Sequence, residues 1–65
     1  MWIKVKNTII NLDKVQYIDI VNSKKVNLIL NQKQGSYITL HFEDKNELDA
    51  TIELLDAIIR PIDLN

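Results

Sequence analysis

The sequence predicts a small α+β domain: a four-stranded antiparallel β-meander, its second strand kinked, with one carboxy-terminal α-helix packed on one face, in the order β-β-β-β-α. Three observations carry this reading. Apolar and polar residues alternate through most of residues 2 to 42, as in half-buried strands. After Phe42 the apolar period changes to that of a helix. The segments joining the alternating runs are too short for parallel crossovers and long enough only for hairpins.

The first strand is WIKVK, residues 2 to 6, with β-branched Ile3 and Val5 on one face. Asn7 and Thr8 supply a short turn. The run IINLDKVQYIDIV is too long for one regular strand, so residues 11 to 14 read as a kink or bulge between a short strand at 8 to 10 and a longer one at 15 to 21. Asn22 to Lys25 form a turn, VNLILN at 26 to 31 a third strand, and the polar NQKQG loop ends at Gly35, a residue suited to positive φ. SYITLHF, residues 36 to 42, is the fourth strand.

Asp44 followed by Glu47 resembles a capping box, and acidic residues crowd the first turns, where the helix dipole favours them. Pro61 stops the helix, which spans 44 to 60; the tail from Ile62 is expected to tuck Ile62 onto the core. Leu48, Ile52, Leu55 and Ile59 form the stripe facing the sheet, widened by Leu54 and Ile58. Ala50 and Ala57 border that stripe and allow another backbone to approach, so Ala50, Leu54, Ala57 and Ile58 are a candidate helix-side interface. The expected core in the sheet is Ile3, Val5, Ile18, Ile20, Val26, Leu28, Leu30, Ile38, Leu40 and Phe42. A one-residue slip in the kinked strand would put Val15 and Tyr17 inside instead.

Sixty-five residues make one domain, with the sheet over 2–42 and the helix over 44–60. A domain of this size hides only about 60% of the surface its unfolded chain exposes. Disulfides and thiolate metal sites are excluded by the lack of cysteine, so self-association is the expected supplement to a small core. The apolar fraction of 46%, with one glycine and one proline, is that of a folded chain and not a disordered one. MWIKVKN has no apolar stretch of signal-peptide length, and no run of about 18 apolar residues occurs, so a cytoplasmic protein without a membrane span is expected. Charge is polarised along the chain: residues 1 to 34 carry six lysines against two aspartates, +4, and residues 35 to 65 carry one lysine and one arginine against seven carboxylates, −5.

One helix covers one face of a sheet. The uncovered face is expected to show Trp2, Lys4, Lys6, Tyr17, Asn27, Ile29, Tyr37, Thr39 and His41. Three of the four aromatic residues lie there, which makes Trp2, Lys4, Lys6, Tyr17, Ile29, Tyr37, Thr39 and His41 a candidate partner- or ligand-binding face. The first reading of this face is a homo-oligomer interface, a dimer foremost, made by stacking open faces or pairing edge strands, with a small anionic ligand between subunits as a variant. The second is single-stranded nucleic acid, with bases stacked on Trp2, Tyr17 and Tyr37 and phosphates held by Lys4 and Lys6. The third is an ordinary surface, since tyrosine and threonine favour strands for packing reasons alone.

Catalysis is not expected. His41 has no cysteine to activate, and Ser36 lies at the far end of its strand. The series Glu43, Asp44, Glu47, Asp49 lacks the spacing and central glycine of a calcium loop, and Gly35 stands alone without a phosphate-cradling motif. No cofactor or metal is implied.

The order strand, INLDKVQYI, strand, YITLHF, helix is broadly similar to that of many short bacterial and phage proteins. Asn11, Leu12, Val15 and Ile18, in the pattern NL-x-x-V-x-x-I, resemble the small flagellar-operon proteins of the FlbD type over residues 3 to 40. The likeness rests on hydrophobic spacing, the well-capped helix departs from it, and it carries no functional residue across. The expected function is a small non-enzymatic regulatory or protein-interaction module, such as a bacterial or phage-type inhibitor or adaptor.

Overall fold

The computed structural model describes residues 1 to 64. The chain folds as β1 (Trp2–Val5), β2 (Thr8–Asn11), a single 3-10 turn (Leu12–Lys14), β3 (Tyr17–Asn22), β4 (Lys25–Asn31), β5 (Ser36–His41) and α1 (Lys45–Ile59). All strand pairs are antiparallel, and the fold is α+β with the helix last. The meander is divided into two sheets, β1-β2 and β3-β4-β5.

The division falls at the expected kink and has a local cause. The Asn11 side chain accepts the Asp13 N–H at 3.1 Å, which turns the backbone out of the strand. The Val15 N–H then donates to the Leu12 carbonyl (3.1 Å), closing the turn. β3 starts afresh where the Gln16 N–H donates to the Ile29 carbonyl at 2.7 Å. What reads in sequence as one kinked strand is therefore two strands in different sheets.

In the first hairpin Ile3 lies opposite Ile10, and Val5 opposite Thr8. Its two-residue loop places Lys6 at φ 54°, in a position where primed hairpin turns ordinarily carry glycine. In the larger sheet, Ile18, Leu28 and Ile38 form one row on the core face, and Ile20, Val26 and Leu40 the next. The parity of β3 is thus the expected one, with Tyr17 on the opposite face. Gly35 has φ 70°, as the loop before β5 requires.

Asp44 caps α1 by accepting the Glu47 N–H at 2.9 Å. The Glu47 carboxylate does not complete a capping box; it pairs with the Lys6 ammonium of the first hairpin. At the other end Arg60 takes the left-handed conformation and its N–H donates to the Asp56 carbonyl at 2.7 Å.

The fully buried core consists of Ile10, Val26, Leu28, Leu40, Phe42, Leu48 and Leu55, with Ile3, Val5, Ile18, Ile38 and Ile52 packed against it or half-buried. Three expectations are corrected. Ile59, expected in the sheet-facing stripe at the end of α1, is 49% exposed. Ile20 lies on the core face of β3 yet is 54% exposed, because β3 is the edge strand and the cover that buries Val26 and Leu40 in the same row does not extend to it. Ile62 is 85% exposed and does not tuck onto the core, since the left-handed Arg60 and Pro61 lead the chain away from it. Asn65, the last residue of that expected tail, lies outside the described residues.

Candidate functional site

The uncovered face of β3-β4-β5 is built from cross-strand rows. Tyr17, Ile29 and Tyr37 form one row, and Asp19, Asn27 and Thr39 the next; Lys25 and His41 face each other at the end. Tyr37 is more than half exposed and Tyr17 nearly half, so two aromatic edges flank a half-buried isoleucine. The Thr39 hydroxyl donates to the Asn27 side-chain oxygen at 2.8 Å. That internal bond occupies the middle row, while His41 stands exposed at the rim.

The other residues expected on this face lie elsewhere. Trp2 and Lys4 point outward from the β1-β2 hairpin beside Ile9 and Asn11, so they belong to a second surface that is not hydrogen-bonded to the first. Lys6 turns toward the helix start, where it pairs with Glu47 and lies 5.4 Å from the centre of the Phe42 ring. The break at Leu12–Lys14 separates these groups.

The helix-side residues are open. Leu54 is 65% exposed, Ile58 is exposed, and Ala50 and Ala57 are exposed with them. The broad apolar arc of α1 therefore seats only its centre, Leu48 and Leu55, in the core. A cleft remains on each side. One, of about 400 Å³, runs between α1 and β3, and its lining includes Leu12, Ile18, Ile20, Ile52 and Ile59 together with Asp56. The other, of about 350 Å³, lies between α1 and β1, lined by Ile3, Val5, Thr51, Leu54 and Ile58.

Sequence reasoning passed over the β3 side of this surface. Ile20 and Val21 are both exposed at the edge of the sheet, and Ile59 opens onto the same cleft. The available signal was the width of the apolar arc on α1, which exceeds what one narrow sheet face covers. Ile10 was also passed over as core, although a tight turn after Val5 sets it opposite Ile3.

Among the described residues, no three His, Cys, Asp or Glu side chains converge in a way that could hold a metal ion, and no helix is long and apolar enough to cross a membrane. No protein-family model, curated protein or solved structure matches this chain.

Proposed function

We propose that this chain is a small non-enzymatic interaction module that works as a homo-oligomer, a dimer foremost, and occupies a protein partner in the cytoplasm, in the manner of a bacterial or phage-type inhibitor or adaptor. One observation carries the reading: Ile20, Ile52 and Ile59 form an apolar wall beside the core that this chain leaves open to solvent. Isolated exposed apolar residues are ordinary, but a contiguous cleft continuous with the core is the kind of surface found at interaction sites, which supports a polypeptide partner. Light scattering across a dilution series tests it. A mass of two or more chains that falls on dilution supports self-association, and a constant single-chain mass overturns it.

The tyrosine row favours one alternative, a binder of single-stranded nucleic acid. Tyr17 and Tyr37 offer two stacking edges across Ile29. Against it, Asp19 occupies the adjoining row, and Trp2 and Lys4 lie on the other sheet. Salt-sensitive oligonucleotide binding lost in Tyr37→Ala would favour this alternative, whereas no binding by the unaltered chain would remove it.

A further inference from the structure

We propose that residues 1–14, the β1-β2 hairpin with the turn after it, open from the rest of the domain as one unit about Val15, and that this opening widens both clefts beside α1 at once.

The polar bonds of the chain change partners at Val15. Before it they close on themselves: the Met1 ammonium pairs with the Asp13 carboxylate at 2.8 Å, the Leu12 N–H donates to the Met1 carbonyl at 2.9 Å, and the Val15 N–H donates back to Leu12. Beyond it they join the larger sheet. The Gln16 N–H donates to the Ile29 carbonyl, and the Gln16 side-chain oxygen accepts the Gln32 N–H at 3.3 Å. Among the described residues, no backbone hydrogen bond joins residues 1–14 to residues 16–64. Val15 itself is in the ordinary extended conformation, which leaves its backbone free to turn.

Side chains hold the hairpin to the body instead. Ile10 is its fully buried residue, Ile3, Val5 and Leu12 pack against the core half-buried, and Lys6 pairs with Glu47. The body keeps the other fully buried residues, Val26, Leu28, Leu40, Phe42, Leu48 and Leu55, with the ladders of β3-β4-β5 and the helix. Releasing the hairpin therefore exposes less apolar surface than unfolding the domain, and costs less. A two-stranded hairpin is marginal alone in water, and Lys6 at positive φ weakens this one further, so its ladder is lost once it leaves.

Both clefts depend on this unit. Leu12 lines the cleft toward β3, Ile3 and Val5 line the cleft toward β1, and Leu55 of α1 contributes to both. Withdrawing residues 1–14 removes a wall from each and joins them across Leu55. The hairpin is a movable wall shared by two clefts.

Amide hydrogen exchange followed by NMR on the full chain, in rising urea below the unfolding transition, tests this. Alternation from the Leu12–Met1 bond makes Ile3 and Ile10 donors in the same ladder. The Ile3, Ile10 and Leu12 amides should share one protection factor, at least about tenfold below that of Leu28, with a shallower dependence on urea because less surface is exposed. Equal protection and equal slopes at Ile10 and Leu28 would mean that the domain opens all together, and would overturn the proposal. Unequal exchange from residue to residue along the hairpin would overturn it as well, since fraying is not the release of a unit. Asp44→Ala separates the cases independently. The cap on α1 is kept in the opened form and lost only in global unfolding, so protection at Leu28 should fall roughly fivefold while Ile3, Ile10 and Leu12 keep theirs. A matching fall at Ile10 would refute a separate unit.

Discussion

The Lys6 ammonium and the Glu47 carboxylate form an ion pair that ties the first hairpin to the start of α1. Lys6 holds a positive φ of 54° in the two-residue hairpin turn, a conformation costing an L-residue about 1–2 kcal/mol relative to its usual basins. Glu47 leaves the capping box unfinished, and its Oε1 is shielded from solvent. The turn thus lacks its usual glycine and the cap its reciprocal bond, while one long-range contact joins the two side chains. Both side chains remain over a third exposed, so the pair contributes on the order of 0.5 kcal/mol. A double-mutant cycle with Lys6→Gly and Glu47→Gln, followed by urea denaturation, should give a coupling of about that size that shrinks at 1 M salt. A coupling indistinguishable from zero at low salt would mean that the pair is incidental.

Arg60 is the second residue held at positive φ, here at the end of α1. Arg60→Gly removes the steric cost while keeping the N–H that closes the last turn. It should stabilise the fold by about 0.5–1 kcal/mol, whereas Arg60→Val should destabilise it. Thermal melts of the two variants on either side of the parent would establish the left-handed cap; a destabilising glycine would refute it.

Asp44 supplies the side-chain cap at the opposite end. Asp44→Ala should cost about 1 kcal/mol and Asp44→Asn much less, because asparagine retains an oxygen acceptor. Glu47→Ala should not disturb the cap, since its side chain bonds to Lys6 and not back to Asp44. Helical ellipticity at low denaturant, lost in Asp44→Ala and kept in Glu47→Ala, checks both statements.

Leu28 is fully buried in the central strand, so Leu28→Ala should cost about 2–5 kcal/mol and bring a domain of this size close to unfolding. Leu54 carries the same side chain on the open flank of α1. Leu54→Ala should change folding stability by less than about 0.5 kcal/mol. Similar losses for both, measured by denaturant midpoint, would mean that Leu54 is covered in solution, and comparison at two protein concentrations would identify a second copy as the cover.

The alternation of β-branched residues, the glycine before Ser36, and the Asp44 and Pro61 boundaries of the helix were legible in the sequence because each depends on a few neighbouring residues. The faces of β3-β4-β5 were legible for the same reason: a strand's period of two assigns Tyr17, Ile29 and Tyr37 to one side once the hairpins are short. Tertiary structure decided what depends on distant groups competing for the same space. The Leu12–Lys14 turn splits the sheet and carries Trp2 and Lys4 away from the tyrosines, although the local pattern suits a bulge in one continuous strand equally well. Glu47 reaches Lys6, forty-one positions away in sequence, a choice between two partners that spacing alone does not resolve. Ile20 has the sequence signature of a core residue and the correct parity, yet it is exposed because one helix, centred on Leu48 and Leu55, is too narrow to cover three strands. Periodicity determines which way a side chain points; only the placement of the helix determines whether anything meets it there.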